Sequence, residues 1–138
     1  MNAQEIAEAF SSHRFEDAIP HLAPSVRWVM PGHGSIDGRD AVVEASRASA
    51  AQMDALAAHG LVRLVSVASG SVAAVDAVGR YVDQDGGESF VSSADIYEFD
   101  SQNRVVVITS YAVEVGGADP ASAPKNNGGQ EVATDDGT

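Results

Sequence analysis

The stretch that decides the fold is VSSADIYEFDSQNRVVVITSY, residues 91–111, because it reads as two strands joined by a tight turn. A period of two places five side chains on one face of the first strand: Val91, Ser93, Asp95, Tyr97 and Phe99. This face carries the aromatic side chains, so we expect it to point inward. Asp95 then stands where an apolar residue is expected. A buried carboxylate is costly unless it is hydrogen-bonded, paired or protonated, and an apolar pocket would raise its pKa.

Outward from this hairpin, helical patterns come first and strand patterns later. Helical spacing predicts a first helix around Ile6 and Phe10, and RFEDAIPHLA predicts a second short helix that bends or ends near Pro20. SVRWVMP alternates like a strand, and GHGSIDG is predicted to be a loop. A long helix over residues 39–59 is expected to begin at a cap at Asp37 or Gly38, to end at Gly60, and to precede three or more further strands. This order predicts an α+β domain with helices packed on one face of a curved sheet.

The chain divides into a body and a tail. Residues 1–115 carry the periodic patterns and are long enough for one domain. Residues 116–138 are rich in Gly, Pro, Ala and Asn, with no aromatic residue and Val132 as the one aliphatic residue larger than Ala. Such a segment cannot bury enough apolar surface to offset its ordering entropy, so we predict a flexible tail.

Composition removes several classes of chemistry. Twenty acidic and eight basic residues give a formal net charge of −12, which disfavours nucleic acids and anionic membranes as partners. There is no Cys, and Lys125 in the tail is the one Lys, which excludes thiol chemistry and a Schiff base within the body. No two His have the helical spacing of metal ligands, so we predict no metal site and no other cofactor. The sequence shows no signal peptide and no apolar run of roughly 20 residues, which predicts a soluble, cytoplasmic protein.

The order of elements resembles the nuclear transport factor 2-like superfamily, in which a bent sheet wraps around three helices to form a cone. Within it, the sequence looks most like the SnoaL-like polyketide cyclases and the ketosteroid isomerases. The resemblance covers roughly residues 2–115, and three stretches carry it: FEDAIPHLAPSVRWVMPG, IDGRDAVVEA and ADIYEFDSQNRVVVITSYAVEV. It implies a curved antiparallel sheet wrapped around three N-terminal helices.

The resemblance also implies a role for Asp95. In the cyclases an Asp at the matching point acts as an acid/base, and in the isomerases a protonated Asp there donates a hydrogen bond to a developing oxyanion. The isomerase general base matches Met30, and the isomerase tyrosine of the first helix matches Ile6. Neither residue can do that chemistry, so the resemblance is closer to the cyclases and does not imply steroid isomerisation.

Two further polar residues leave alternatives open. The epoxide hydrolases of the same fold use an Asp–Arg–Asp arrangement, for which Asp76 could supply a second acid or, with Arg80, form a surface pair. His33 lies between two glycines at the expected mouth of the cone, where it is either a proton shuttle or an exposed loop histidine. His13, His21 and His59 lie near predicted helix ends, where they meet the helix dipole or solvent.

A set of large side chains is expected either to line a pocket for a flat apolar ligand or to pack in the core: Trp28, Met30, Tyr81, Phe90, Tyr97 and Tyr111. Three functions follow from these observations. The first is a cyclase- or isomerase-type acid/base enzyme for a small apolar carbonyl compound, with Asp95 and His33 as catalytic candidates. The second is a non-catalytic protein that binds a small apolar molecule. The third is a dimerisation module that forms a homodimer through the sheet, where VVVITSYAVEV has apolar residues on both faces.

Overall fold

The computed structural model describes residues 1–115, and the tail predicted over residues 116–138 lies outside the described residues. The body holds three α-helices, a short 3₁₀ turn and six strands. Their bounds are α1 Ala3–Ser11, α2 Phe15–Ala18, the 3₁₀ turn Ile19–His21, β1 Leu22–Met30, β2 Gly34–Asp37, α3 Arg39–Asp54, β3 Ala58–Ser69, β4 Val72–Val82, β5 Glu88–Phe99 and β6 Val105–Glu114.

The strands of residues 1–115 form one curved, unclosed sheet in the order β2-β1-β6-β5-β4-β3. The predicted α+β cone fold is confirmed, but the sheet is mixed and not purely antiparallel. Every neighbouring pair is antiparallel except β1 and β6, which run parallel. The connection explains this exception. After β2 and α3 the chain restarts at the far edge of the sheet with β3, and three hairpins then bring β6 back beside β1.

Two boundaries differ from the sequence prediction. α3 ends at Asp54, and His59 and Gly60, expected at the end of this helix, belong to β3, where they pair with Tyr81 and Arg80. Ladder pairing with β4 therefore overrides the local helical pattern. The predicted loop GHGSIDG contains β2, which pairs with the end of β1. α3 also follows two strands, so the helices are not all N-terminal.

α1 lies across the concave face of the sheet and contacts β3, β4 and β5. A capping box starts the helix, because the Asn2 side chain accepts from the Glu5 amide at 2.8 Å and the Glu5 side chain accepts from the Asn2 amide at 2.9 Å. Its apolar stripe packs on fully buried residues of the sheet, among them Leu64, Val75, Tyr97 and Ile108. This packing brings the C-terminal end of α1, with Ser11, onto the middle of β5.

Candidate functional site

A cavity of about 190 Å³ lies between the C-terminal end of α1, the helices α2 and α3, and the concave face of the sheet. Its lining is largely apolar with a few polar groups: Phe10, Ser11, His13, Phe15, Trp28, Ser49, Met53, Tyr81, Val91, Ser93, Asp95, Ser110 and Ala112. Such a lining is typical of a binding site for a small organic molecule.

Asp95 lies on the cavity wall in the middle of β5. Its strand neighbours are Val75 on β4 and Ser110 on β6, and Tyr97 follows on the same inner face, fully buried. The alternation of β5 that places Val91 and Ser93 on the cavity therefore places Asp95 there too.

A chain of hydrogen bonds from three other elements ends on Asp95. Ser11 Oγ donates to Asp95 Oδ2 at 2.7 Å and lies 2.6 Å from the Tyr97 hydroxyl. Ser11 has one proton, which Asp95 accepts, so the Tyr97 hydroxyl is the donor to Ser11.

The second arm of this network runs through β6. Trp28 Nε1 donates to Ser110 Oγ at 2.9 Å, and an indole N–H can only donate. Ser110 in turn hydrogen-bonds to Asp95, and its own proton is free for that bond. Two serine hydroxyls therefore donate to the carboxyl group, and each is held in place by an aromatic side chain.

Burial raises the pKa of Asp95 above the ordinary range of an aspartate, and the hydrogen bonds from Ser110 and Ser11 oppose this effect only in part. The pKa values of two neighbouring tyrosines are raised as well. Burial and the nearby Asp95 charge raise the pKa of Tyr81, and the same causes raise that of Tyr97 well above its usual value. The site thus combines an acid that keeps its proton to a higher pH with two phenols that remain neutral.

His13 lines the same cavity from the turn that follows α1. Its imidazole is partly exposed and lies 5.5 Å, centroid to centroid, from the Phe15 ring. Burial, with a smaller effect of the His59 charge, lowers the pKa of His13. The ring is therefore mostly neutral at pH 7 and can accept a proton.

The structure brings together only part of the predicted site. Trp28, Tyr81 and Asp95 line the cavity. Tyr97 does not line it but hydrogen-bonds to Ser11, which does. The other four candidates do not line this cavity: Met30, His33, Phe90 and Tyr111.

Strand geometry explains why these four residues lie elsewhere. Tyr111 follows Ser110, so it points to the outer face of the sheet, where 53% of its surface is exposed. Phe90 is buried but precedes Val91 and so falls on the alternate parity of β5. Met30 is the last residue of β1, and His33 is exposed in the turn between β1 and β2.

Asp76 does not belong to this cavity. It lies on the outer face of β4 and forms an ion pair of 2.7 Å with Arg63, while Arg80 pairs with Glu88 instead. Asp76 is therefore not a second acid of this site, and the suggested Asp76–Arg80 surface pair is wrong. Within residues 1–115, no three His, Asp or Glu side chains come together as metal ligands would. No helix of this described part is long and apolar enough to cross a membrane.

Sequence reasoning missed Ser11, Ser110 and His13. Ser110 could have been found, because the turn at residues 101–103 sets a register in which it lies opposite Asp95. Ser11 and His13 carry no such signal, since their approach to β5 depends on how α1 packs on the sheet.

Comparison with known proteins identifies the class to which this fold and cavity belong. The family model described as the SnoaL-like domain matches residues 3–108, and the chain belongs to this family. The resemblance drawn from the sequence is confirmed. A comparison with curated proteins found no match.

Solved structures support the same fold. An NTF2-like protein of unknown function from Cytophaga hutchinsonii is 25% identical, with a TM-score of 0.67 over 78% of this chain and 93% of that one. A candidate polyketide cyclase from Xanthomonas campestris is 18% identical, with a TM-score of 0.59 over 78% and 84% of the two chains. A candidate isomerase of the SnoaL-like family from Agrobacterium tumefaciens is 14% identical, with a TM-score of 0.55 over 78% and 94%. The chain therefore has the NTF2-like α+β cone fold, which is of the general cyclase and isomerase type.

Proposed function

We propose that this protein is an acid/base enzyme of the cyclase or isomerase type, acting on a small apolar compound that carries a carbonyl group. The observation that supports this most directly is Asp95, a carboxyl group with a raised pKa on the wall of an apolar cavity. Perturbed carboxyl groups in concave sites are typical of catalytic acids.

In this proposal Asp95 donates to the substrate oxygen. The hydroxyls of Ser11 and Ser110 hold the carboxyl group in one orientation, which leaves its proton for a carbonyl oxygen in the cavity. When a proton leaves the carbon next to that carbonyl, negative charge develops on the oxygen. A donor fixed in a site with little water stabilises this charge more than the neutral ground state.

The volume of the cavity limits the substrate. A cavity of about 150 Å³ holds one benzene ring, and the site here has about 190 Å³. We therefore expect a single ring with one or two small substituents as the part that enters. Phenols fit this description and have the flat shape and acidic hydroxyl of an enol.

The test measures enolisation directly. Cyclohexanone in deuterated buffer exchanges its α-protons when an enzyme catalyses enol formation, and proton NMR follows the loss of signal. Asp95→Asn should lower the exchange rate by about 100-fold or more, the lower end of what general acid catalysis contributes. Asp37→Asn is the matched control, because this carboxylate forms an exposed pair with Arg27 and does not line the cavity. Equal exchange rates for Asp95→Asn and wild type would exclude Asp95 as the acid.

A second candidate function is non-catalytic binding of a small apolar molecule. Ile6, at the position of the isomerase tyrosine, is fully buried in the core, and Met30 does not line the cavity. Tight phenol binding, measured by calorimetry, together with no catalysed exchange in the ketone assay would favour this function.

We also propose that the outer face of the sheet forms a homodimer interface. Tyr111 and Val113 are 53% and 60% exposed there and border a groove of about 440 Å³. Exposed apolar side chains in one patch are typical of protein contacts. Sedimentation of wild type and Val113→Asp tests this, since a dimer that uses this face should dissociate in the variant.

A further inference from the structure

α1 ends in a Schellman motif that carries a histidine at the position where glycine is usual. The Arg14 amide bonds to the Ala9 carbonyl at 2.8 Å, and the His13 amide bonds to the Phe10 carbonyl at 3.1 Å. This pair of hydrogen bonds requires residue 13 to adopt the left-handed conformation, and His13 has a φ of 66°. Glycine adopts this conformation without steric cost, whereas a residue with a side chain does not. His13 therefore places an imidazole at a position where its backbone conformation has a steric cost.

The left-handed turn directs this imidazole toward the cavity. His13 lines the cavity together with Phe10 and Phe15, on the helical side, while Asp95 lies on the sheet side. The ring packs beside Phe15. Residues with strained backbone cluster at functional sites, and here the strained residue contributes a side chain to the cavity that holds the acid.

Burial and the His59 charge set the protonation state of His13 and favour its neutral form. Ser49 and Met53 of α3 also line the cavity, and neither carries a charge. The titratable groups around it are Tyr81 on β4 and Asp95 on β5 within the cavity, His59 on β3, and Arg14 in the same turn. Glu16 and Asp17 of α2 line a neighbouring groove together with His13. Burial and the His59 charge keep the pKa of His13 low, which leaves a ring nitrogen free to accept a proton.

We propose that His13 is the catalytic base, which removes a proton from the carbon next to the carbonyl whose oxygen Asp95 binds. This inference rests on the proposed function. The electron pair of the broken C–H bond becomes the C=C bond of the enol, and the carbonyl π pair moves to the oxygen, which takes the Asp95 proton. His13 then holds the abstracted proton, which exchanges with solvent before a proton returns to carbon, while Asp95 recovers its own. The step needs no oxidant, reductant or second reactant.

This assignment gives the site a base on its helical wall. The base position that the isomerase resemblance marks is Met30, which neither accepts a proton nor lines the cavity. A base on the turn after α1 approaches the ligand from a different side, so the reacting carbon would differ from that of the isomerases.

Three variants test the proposal in the cyclohexanone exchange assay. His13→Asn keeps a residue that tolerates the left-handed conformation but removes the base, and His13→Gly removes both side chain and strain. Both should lower the exchange rate by about 100-fold or more. His33→Asn is the matched control, because this exposed loop histidine lies outside the cavity. It should leave the exchange rate unchanged.

Two readouts separate a base from a merely structural residue. The fall of the exchange rate at low pH, which follows protonation of His13, should disappear in His13→Asn, and phenol affinity should stay within about threefold of wild type. In wild type, phenol should shift the imidazole NMR signals of His13 and not those of His33. A wild-type exchange rate in His13→Asn would overturn this inference. If Asp95→Asn exchanges slowly in the same assay, the proposed function still holds. Wild-type exchange in Asp95→Asn would instead count against the proposed function itself. Unshifted His13 signals with phenol bound would also overturn the inference.

Discussion

Replacing Ser11 with alanine should destabilise the protein far more than the loss of one hydroxyl normally does. The Ser11 hydroxyl donates to Asp95 and accepts from Tyr97, whose side chain is fully buried. One net hydrogen bond contributes about 1 kcal/mol, and a buried hydroxyl left without a partner costs about 1–3 kcal/mol more. We therefore expect the free energy of unfolding to fall by about 2–4 kcal/mol.

A double-mutant cycle identifies the source of this loss. Tyr97→Phe removes the hydroxyl that Ser11→Ala leaves without a partner, so alone it should cost only about 1 kcal/mol. In the double variant no unpaired tyrosine hydroxyl remains. The two effects should therefore fall short of additivity by about 1–3 kcal/mol, as expected for residues in one network.

Urea unfolding followed by Trp28 fluorescence gives these free energies. Ser46→Ala is the control, because Ser46 is also buried and its hydroxyl donates to the Val42 carbonyl of its own helix at 2.8 Å. Its loss is partly offset by the better helix propensity of alanine, so a change of at most about 1 kcal/mol is expected. Additive effects of Ser11→Ala and Tyr97→Phe, or equal effects of Ser11→Ala and Ser46→Ala, would refute the reasoning.

Three further predictions follow from the same site. Because burial raises the pKa of Asp95, the folded state binds this proton more tightly than the unfolded state. Relative to Asp95→Asn, wild type should be most stable below about pH 3.9 and should lose this advantage as pH rises through the raised pKa. Urea unfolding of both proteins across this range checks the sign, and a constant difference contradicts it. Trp28→Phe removes the hydrogen bond to Ser110 and alters the edge contact with Phe10, whose ring centroid lies 5.0 Å away. The free energy of unfolding, followed by circular dichroism, should fall by about 1–3 kcal/mol. Gly79→Ala would place a methyl group 2.7 Å from Cζ of Tyr81, so the tyrosine ring must move. Phenol affinity should then drop by about tenfold. Unchanged affinity would show that the Tyr81 ring does not shape the site.

Much of this fold could be predicted from the sequence, because its signals are local. The hairpin of β5 and β6 follows from alternation and from the turn residues around Asn103, which has a positive φ of 61°. The inward direction of Asp95 follows from the same alternation. Its raised pKa follows from burial, which the aromatic neighbours on its face already indicate.

The remainder depends on contacts between distant residues. The parallel pairing of β1 with β6 joins segments about 80 residues apart, and no local pattern distinguishes it from an antiparallel edge. Ser11 and Asp95 are separated by 84 positions and meet only because α1 crosses the sheet. His13 lines the cavity and His33 does not, since the path of the chain after a helix decides which histidine reaches the cavity.

The parallel pairing of β1 with β6 also sets the order in which the site can be built during synthesis. Trp28 is made early, yet its partner Ser110 lies 82 positions later on the last described strand. A nascent chain therefore holds α1, β1 and the indole without the group that orients Asp95 from β6. Contacts of such long separation form slowly, because the intervening chain must first be ordered. A chain that stops before residue 105 would lack β6 and with it this arm of the site. In a chain that includes β6, Trp28 fluorescence would report in real time the pairing of β6 beside β1.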